Sequence, residues 1–322
     1  MRELDFLKII SSKLSFSNYL GDDCAYLEDL DVYVTHDTLV EDVHFSMYTT
    51  SAYLLGRKAI SVNLSDLAAA LSVPKYVTVS ISLPKSISND FVSELYRGIN
   101  DVCTEYNVKV IGGDITGSEK IVISVCAIGK KLSLFNSSRS FAKKGDYIVV
   151  TGNFASSSLG LYALQNFLYA EDVLKQAHLN PTPKIVESSK LSTLIDSNVA
   201  VIDTSDGLVD ALYRISQASK HSLEIDFEKV PVLKEAVDFT VRNSLDISEF
   251  VKWGGEDFEL VACVPEDIYL KLDKNIFKHI GFVQNKDNNP CVQINYKDNV
   301  ERITHKVFVN KSYNHFKEEL ND

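Results

Sequence analysis

Cysteine pairs, long apolar runs and an excess of basic charge are all missing from this 322-residue sequence. The five cysteines (Cys24, Cys103, Cys126, Cys263, Cys291) are odd in number, and no two form a CxxC pair. That usage fits reduced thiols in a cytoplasmic protein and excludes a disulfide framework. No apolar stretch approaches the ~20 residues that span a bilayer. Charges interrupt the opening MRELDFLKII, so it does not read as a signal peptide. Neither secretion nor membrane insertion is expected. With 33 basic against 44 acidic residues the net charge is −11. This argues against a nucleic-acid partner, which needs a Lys/Arg surplus, but leaves phosphate ligands open where metal ions screen them. Also missing are GxxxxGK[ST], GxGxxG, the HRD/DFG pair, GxSxG and HExxH. These absences exclude the common kinase folds without excluding phosphoryl transfer.

What is present is ordinary globular material. A 45% hydrophobic and 24% charged composition supports a substantial core, and the length suits about two domains. Strand and helix patterns alternate, giving an α/β (α+β) fold class. Strands are expected at 31–36, 76–83, 108–111 and 121–128. An amphipathic helix is expected over 51–71, and a second over 88–106 with Asp90 as its cap. The Ser/Lys-rich stretch 130–146 ends in a Gly-Asp turn signal and reads as a boundary. It divides the chain into an N-terminal domain, 1–138, and a C-terminal domain, 139–322. After it come strands at YIVVTG, 199–203, SLEIDF and FELVACV, with helices at 156–168, 184–196 and 207–219.

The placement of the acids is more informative than their number. Gly21-Asp22-Asp23, Asp37 after VYVTH, Gly112-Gly113-Asp114 after VKVI, Asp203-Thr204-Ser205-Asp206-Gly207 after VAVI, and Gly254-Gly255-Glu256-Asp257 before FELVACV all read as strand ends or tight turns. Asp66 sits inside an apolar helix, where an unpaired carboxylate is costly. One Asp-Gly alone is most simply a turn. Six such groups suit hard-cation sites, because Mg²⁺ takes oxygen ligands from one or two carboxylates, water and substrate phosphates. Two phosphate-bearing ligands together carry roughly −5 to −6 charge, and carboxylate-held Mg²⁺ is one way to neutralise it.

GDDCA (21–25), DTLVEDVHF (37–45), KAISVNLSDLAAA (58–70), GGD (112–114), DTSDGL (203–208), GGEDFEL (254–260) and the terminal SYNHF (312–316) occur in an order and spacing that resembles the thiamine-monophosphate kinases. These form a branch of the aminoimidazole-ribonucleotide-synthetase-like superfamily, and the likeness runs from about residue 4 to 316. It implies a two-domain subunit whose N-terminal domain pairs with its twin in a homodimer. It also implies transfer of the ATP γ-phosphate to thiamine monophosphate with several Mg²⁺ ions. Carried over, Asp23, Asp37, Asp66, Asp114, Asp203 and Asp206 are the implied metal ligands, with Thr35 and His36 beside them. Gly113, Arg139, Ser205 and Tyr96 match ATP-contacting positions; His44, Glu256 and Tyr313 match thiamine-phosphate positions. His36 stands where the family has Thr or Ser, Asp42 where it has Gly, and Ile115-Thr116 where it has Thr-Thr. The alternatives are another ATP-using chemistry of the superfamily and a non-catalytic Mg²⁺–nucleotide regulator. The former includes selenide phosphorylation, for which Cys24 lacks the Gly-rich context, and carbamoyl-transfer maturation, for which the ending Asn321-Asp322 lacks a Cys.

Overall fold

The computed structural model describes residues 3–15 and 19–316. The extreme ends of the two expected domains, including Asn321 and Asp322, lie outside the described residues. In chain order the first part comprises α1 (Glu3–Lys13), β1 (Ala25–Leu27), β2 (Val32–Val40), α2 (Ala52–Ala69), β3 (Ser72–Leu83), α3 (Asn89–Glu105), β4 (Lys109–Gly117) and β5 (Val122–Lys131). The second comprises β6 (Tyr147–Val150), α4 (Ser156–Gln165), α5 (Asp172–Leu179), α6 (Ile185–Leu194), β7 (Ala200–Asp203), α7 (Leu208–Ser219) and β8 (His221–Asp226). It continues with α8 (Lys234–Arg242), α9 (Ile247–Trp253), β9 (Leu260–Val264), α10 (Glu266–Lys271), β10 (Lys278–Lys286), β11 (Val292–Tyr296), β12 (Asn299–Ile303) and α11 (His305–Lys311).

Two sheets result. The five-stranded sheet runs β1-β2-β5-β3-β4, and the seven-stranded sheet runs β12-β11-β8-β10-β6-β9-β7. On the first, period-2 alternation turns Tyr33, Thr35, Val77, Val79, Ile123 and Val125 toward α2 and α3, where they meet Leu55, Ile60, Leu64, Leu95 and Ile99. The second sheet is covered on both faces. Ile148, Val150 and Ile202 face the α7 side, while the intervening Val149, Val201 and Ala262 face Ala68, Ala69 and Leu71.

This packing corrects the expectation for 51–71. Helix α2 is not a surface amphipathic helix; thirteen of its eighteen residues are buried. One side lies on the first sheet and its C-terminal end lies on the second, so α2 is a wedge between them. A helix apolar nearly all round is a buried helix. Its N-terminus is capped by the Ser51 hydroxyl, which accepts from the Leu54 amide at 3.2 Å. The cap of α3 is likewise Ser88, accepting from Phe91 at 3.1 Å; Asp90 sits inside the first turn instead.

The strand at 108–111 does not end at Gly112-Gly113-Asp114. β4 continues to Gly117 as the parallel edge partner of β3. Gly113 lets it do so, because a Cβ there would lie 1.8 Å from the Val79 carbonyl oxygen. All nine residues of β4 are exposed.

Candidate active site

Between the two sheets lies a cavity of about 1500 Å³. Its most buried wall is built from acids that the chain brings from three places. Asp23 comes from the turn before β1, Asp66 from the last turns of α2 and Asp203 from the end of β7. A carboxylate oxygen from each lies within 4.8 Å of the other two. The surrounding hydroxyls hold them in place. Thr35 Oγ1 donates to Asp66 at 2.5 Å, and Ser65 Oγ donates to Asp203 at 2.5 Å. Asp37 lines the same wall, and its main-chain N–H donates to Asn63 Oδ1 at 3.1 Å.

Burial and mutual repulsion set the electrostatics. Burial pushes the Asp66 carboxyl well above its ordinary 3.8, and Asp37, Asp203 and Asp23 add to the rise. Asp203 is raised well above that value by burial and by Asp23. Asp37 is raised by burial. Asp23 is raised by burial in spite of Arg139, whose guanidinium pairs with it. Packing acids until they resist ionisation is unfavourable for a bare protein; a hard dication placed among them removes the conflict. The donor set of carboxylates plus the Thr35 hydroxyl is the oxygen set that Mg²⁺ takes.

Arg139, in the link between the sheets, donates Nη1–H to Gly21 O at 3.1 Å and its amide to Asp22 Oδ1 at 2.8 Å. It thereby fastens the 21–23 turn to the second half of the chain. Close enough to act on both Asp23 and Arg139, Arg214 pairs with Asp210 and reaches Asp206 at 3.4 Å. The two glycine-rich turns pack face to face. The Glu256 amide donates to Ser205 O at 2.7 Å, and a Cβ on Gly255 would sit 2.6 Å from that oxygen. Close approach, not a turn alone, is what Gly255 provides.

Glu256 receives Lys58 Nζ and His178 Nδ1, each at 2.9 Å. Burial pushes its carboxyl up, but Lys58 and the His178 hydrogen bond hold it at about 2. The neighbouring Asp257 anchors the start of α4 instead, accepting from the Ala155 and Ser157 amides at 2.8 and 2.9 Å. His44 lines the cavity with Nδ1 accepting from the Val40 amide at 3.0 Å. Its ring lies 5.2 Å from that of His315, whose Nδ1 is 3.3 Å from the Tyr313 hydroxyl.

Of the residues singled out in the sequence, Asp23, Thr35, Asp37, Asp66, Arg139 and Asp203 share the acidic wall. Ser205, Asp206, His44, Glu256 and Tyr313 line the remainder. His36 lies at the margin, exposed on the face of β2 opposite Thr35 and Asp37. Three do not join them. Asp114 lies three strands from Asp37 in the order β2-β5-β3-β4, about 14 Å at ordinary strand spacing. It also points the other way, in register with Ser80 and Ser124 on the outer face. Gly113 lies beside it, and Tyr96 packs from α3 against the first core. Gly112-Gly113-Asp114 lies within β4 and not at a strand end. Lys58, His178, Asp22 and Arg214 were not singled out as site residues. Lys58 lay in plain view inside KAISVNLSDLAAA.

A mixed two-sheet fold with a buried carboxylate cleft defines the class, and residues 21–130 match the family described as AIR synthase related protein, N-terminal domain. Thiamine-monophosphate kinase of Bacillus subtilis is 32% identical over 314 residues, covering 92% of this chain and 93% of its own. That of Escherichia coli K12 is 34% identical over 276 residues, covering 81% and 80%. Thiamine monophosphate kinase from Aquifex aeolicus superposes with a TM-score of 0.81 at 29% identity, covering 92% of this chain and 96% of its own. The structure of AaThiL complexed with AMPPCP and TMP gives 0.83 at 29% identity, covering 94% and 97%. The chain belongs to the thiamine-monophosphate kinase family.

Proposed function

We propose that this protein transfers the γ-phosphate of ATP to thiamine monophosphate, giving ADP and thiamine diphosphate. One observation carries the reading: the Asp23–Asp66–Asp203 trio and the ionised Glu256 face one cavity. An acidic, cation-ready wall is therefore paired with a wall suited to N–H donors and rings. The relatives' shared activity and the neighbour complexed with AMPPCP and TMP support the same assignment.

Asp23, Asp37, Asp66, Asp203 and Asp206 would hold magnesium, with the Thr35 hydroxyl beside them. Bound there, the metal supplies charge neutralisation between two phosphate-bearing ligands. The chain's own residues position and shield. Arg139 and Ser205 are the residues set toward the donor nucleotide, Arg139 from a guanidinium that also holds Asp23 and Gly21 O. Glu256, His44 and Tyr313 take the acceptor, whose ring can rest on the tyrosine face. No general base is needed, because a phosphate monoester with a second pKa of about 6 already presents an anionic oxygen at neutral pH. Catalysis by orientation and electrostatic stabilisation follows, without a phosphoenzyme.

The subunit acts as a homodimer in this reading. The edge strand β4 exposes Val110, Ile111 and Ile115, and its outer edge has no strand partner among the described residues. Such an edge is a template for pairing. A twin seated there would receive Gly113 and Asp114 that cannot reach their own subunit's acidic wall. The five cysteines are free, in keeping with a cytoplasmic setting. No helix among the described residues is long and apolar enough to cross a membrane.

The direct test follows thiamine diphosphate formation from ATP, thiamine monophosphate and MgCl₂. No product from well-folded protein overturns the proposal. Binding of Mg²⁺–ATP without turnover would identify the regulator instead.

A further inference from the structure

Lys58 is a buried ammonium in the N-terminal half of the buried helix α2. Its side chain is 4% exposed, that of His178 is 5%, and that of Glu256 is 26%. Among the described residues Glu256 is the one acceptor that Lys58 Nζ meets. Lys58 and His178 both contact the same oxygen, Oε2. Burial lowers the His178 pKa, while Lys58 and the His178 hydrogen bond both favour the ionised Glu256 carboxylate. The main chain of Glu256 is fixed independently, through its amide on Ser205 O and a left-handed φ of 65°. A carboxylate gripped by one oxygen from two sides, on a pinned backbone, has little freedom to rotate. Oε1 carries no protein hydrogen bond among the described residues and belongs to a side chain that lines the cavity.

We propose that Lys58 and His178 are positioning residues for the acceptor: they commit Glu256 Oε2 so that Oε1 remains to accept an N–H from the acceptor's ring end. This rests on the kinase reading above, in which the acceptor is thiamine monophosphate and its aminopyrimidine is the N–H donor. The two residues act through Glu256, and neither is hydrogen-bonded to the acidic wall. A purely structural ion pair between the halves of the molecule would instead affect folding and both substrates alike.

The test compares Lys58→Met, His178→Gln and Glu256→Gln with the combined Lys58→Met/Glu256→Gln protein in steady-state kinetics. Lys58→Met raises the KM for thiamine monophosphate at least ~10-fold, as expected for one lost charge-assisted hydrogen bond. Its kcat and KM for ATP stay within about 3-fold. The double variant is no worse than Glu256→Gln alone, because Glu256 is the one acceptor that Lys58 Nζ meets among the described residues. An unchanged acceptor KM, an equal rise in both KM values, or additive losses in the double variant overturns the inference. Should Lys58→Met fail to fold, His178→Gln carries the same comparison, with a rise in acceptor KM expected and no effect in the Glu256→Gln background. Calorimetric binding of thiamine, which lacks the phosphate, reads the ring socket without turnover. Wild type binds it and Lys58→Met binds it at least ~10-fold more weakly. Equal binding, or none by the wild type, overturns the socket. Missing turnover with thiamine binding intact overturns only the kinase reading.

Discussion

At the residue scale, Asp66 has the most conflicting surroundings: it is buried, faces three other carboxylates and has the Thr35 hydroxyl as donor. Its folded pKa lies above 3.8. A group with a raised folded pKa binds more protons folded than unfolded, so its stability contribution is lost as pH rises from about 4 through the folded value. Asp203 adds in the same direction. Metal-free protein should therefore melt at progressively lower temperature as pH rises above that point, and Mg²⁺ should flatten the trend. In Asp66→Asn the metal-free protein should melt higher than wild type at pH 8, gain less from Mg²⁺ and turn over at least ~10²-fold more slowly. Scanning calorimetry with and without MgCl₂, beside a kinetic assay, checks all three. Near-normal turnover would remove Asp66 from the site. This acid was legible because an Asp among Leu and Ala has no local explanation. Lys58 and His178 were not, because their meaning lies in contacts 198 and 78 positions away along the chain. A Lys in a helix looks solvated until the second sheet covers it.

At the scale of elements, α2 and α3 cross at small residues. A Cβ on Gly56 would lie 2.0 Å from Leu95 O, and one on Gly98 would lie 2.0 Å from Tyr53 O. Gly56→Val should cost at least the ~1–3 kcal/mol usual for overpacking. It should lower the urea midpoint well below that of wild type; an unchanged midpoint would mean that the helices can separate freely. Periodicity revealed both helices, and the alternation of 76–83 was equally plain, but β2 runs past its expected end at 36 to Val40, so that Asp37 lies within the strand and not after it. The extent of β4 was not. Two glycines after VKVI resemble a stop, yet the neighbouring β3 supplies a partner for every residue from Gly112 to Gly117. Glycine there is required by the closeness of Val79, a tertiary fact that no local pattern carries. The cap of α3 was misassigned by two positions for a simpler reason: Ser88 and Asp90 are both good capping types, and only the backbone entering the helix at Ser88 distinguishes them.

At the scale of the whole molecule, the distance between Asp114 and the acidic wall becomes an experiment. Subunits carrying Asp66→Asn and subunits carrying Asp114→Asn should each be nearly inactive alone. Mixed and allowed to exchange, they should regain a substantial fraction of activity. One site of each heterodimer would then combine an intact Asp66 with its twin's intact Asp114. No recovery, with exchange verified by mass, would place Asp114 outside the reaction. The companion substitution Ile115→Lys should shift the protein toward monomer in analytical ultracentrifugation, since it charges the exposed edge.

Helix α2 carries Asp66 at the acidic wall and Lys58 on Glu256, eight residues or about 12 Å apart along its axis. Between those points it packs on the first sheet through Ala59, Ile60 and Leu64. The helix is thus a ruler. An acceptor whose phosphate and ring end are too close together or too far apart can satisfy one mark but not both, so molecular length itself becomes a criterion of choice. Analogues with one methylene added to or removed from the linker between ring and phosphate would be refused by a rod of fixed graduation, even with every polar group retained.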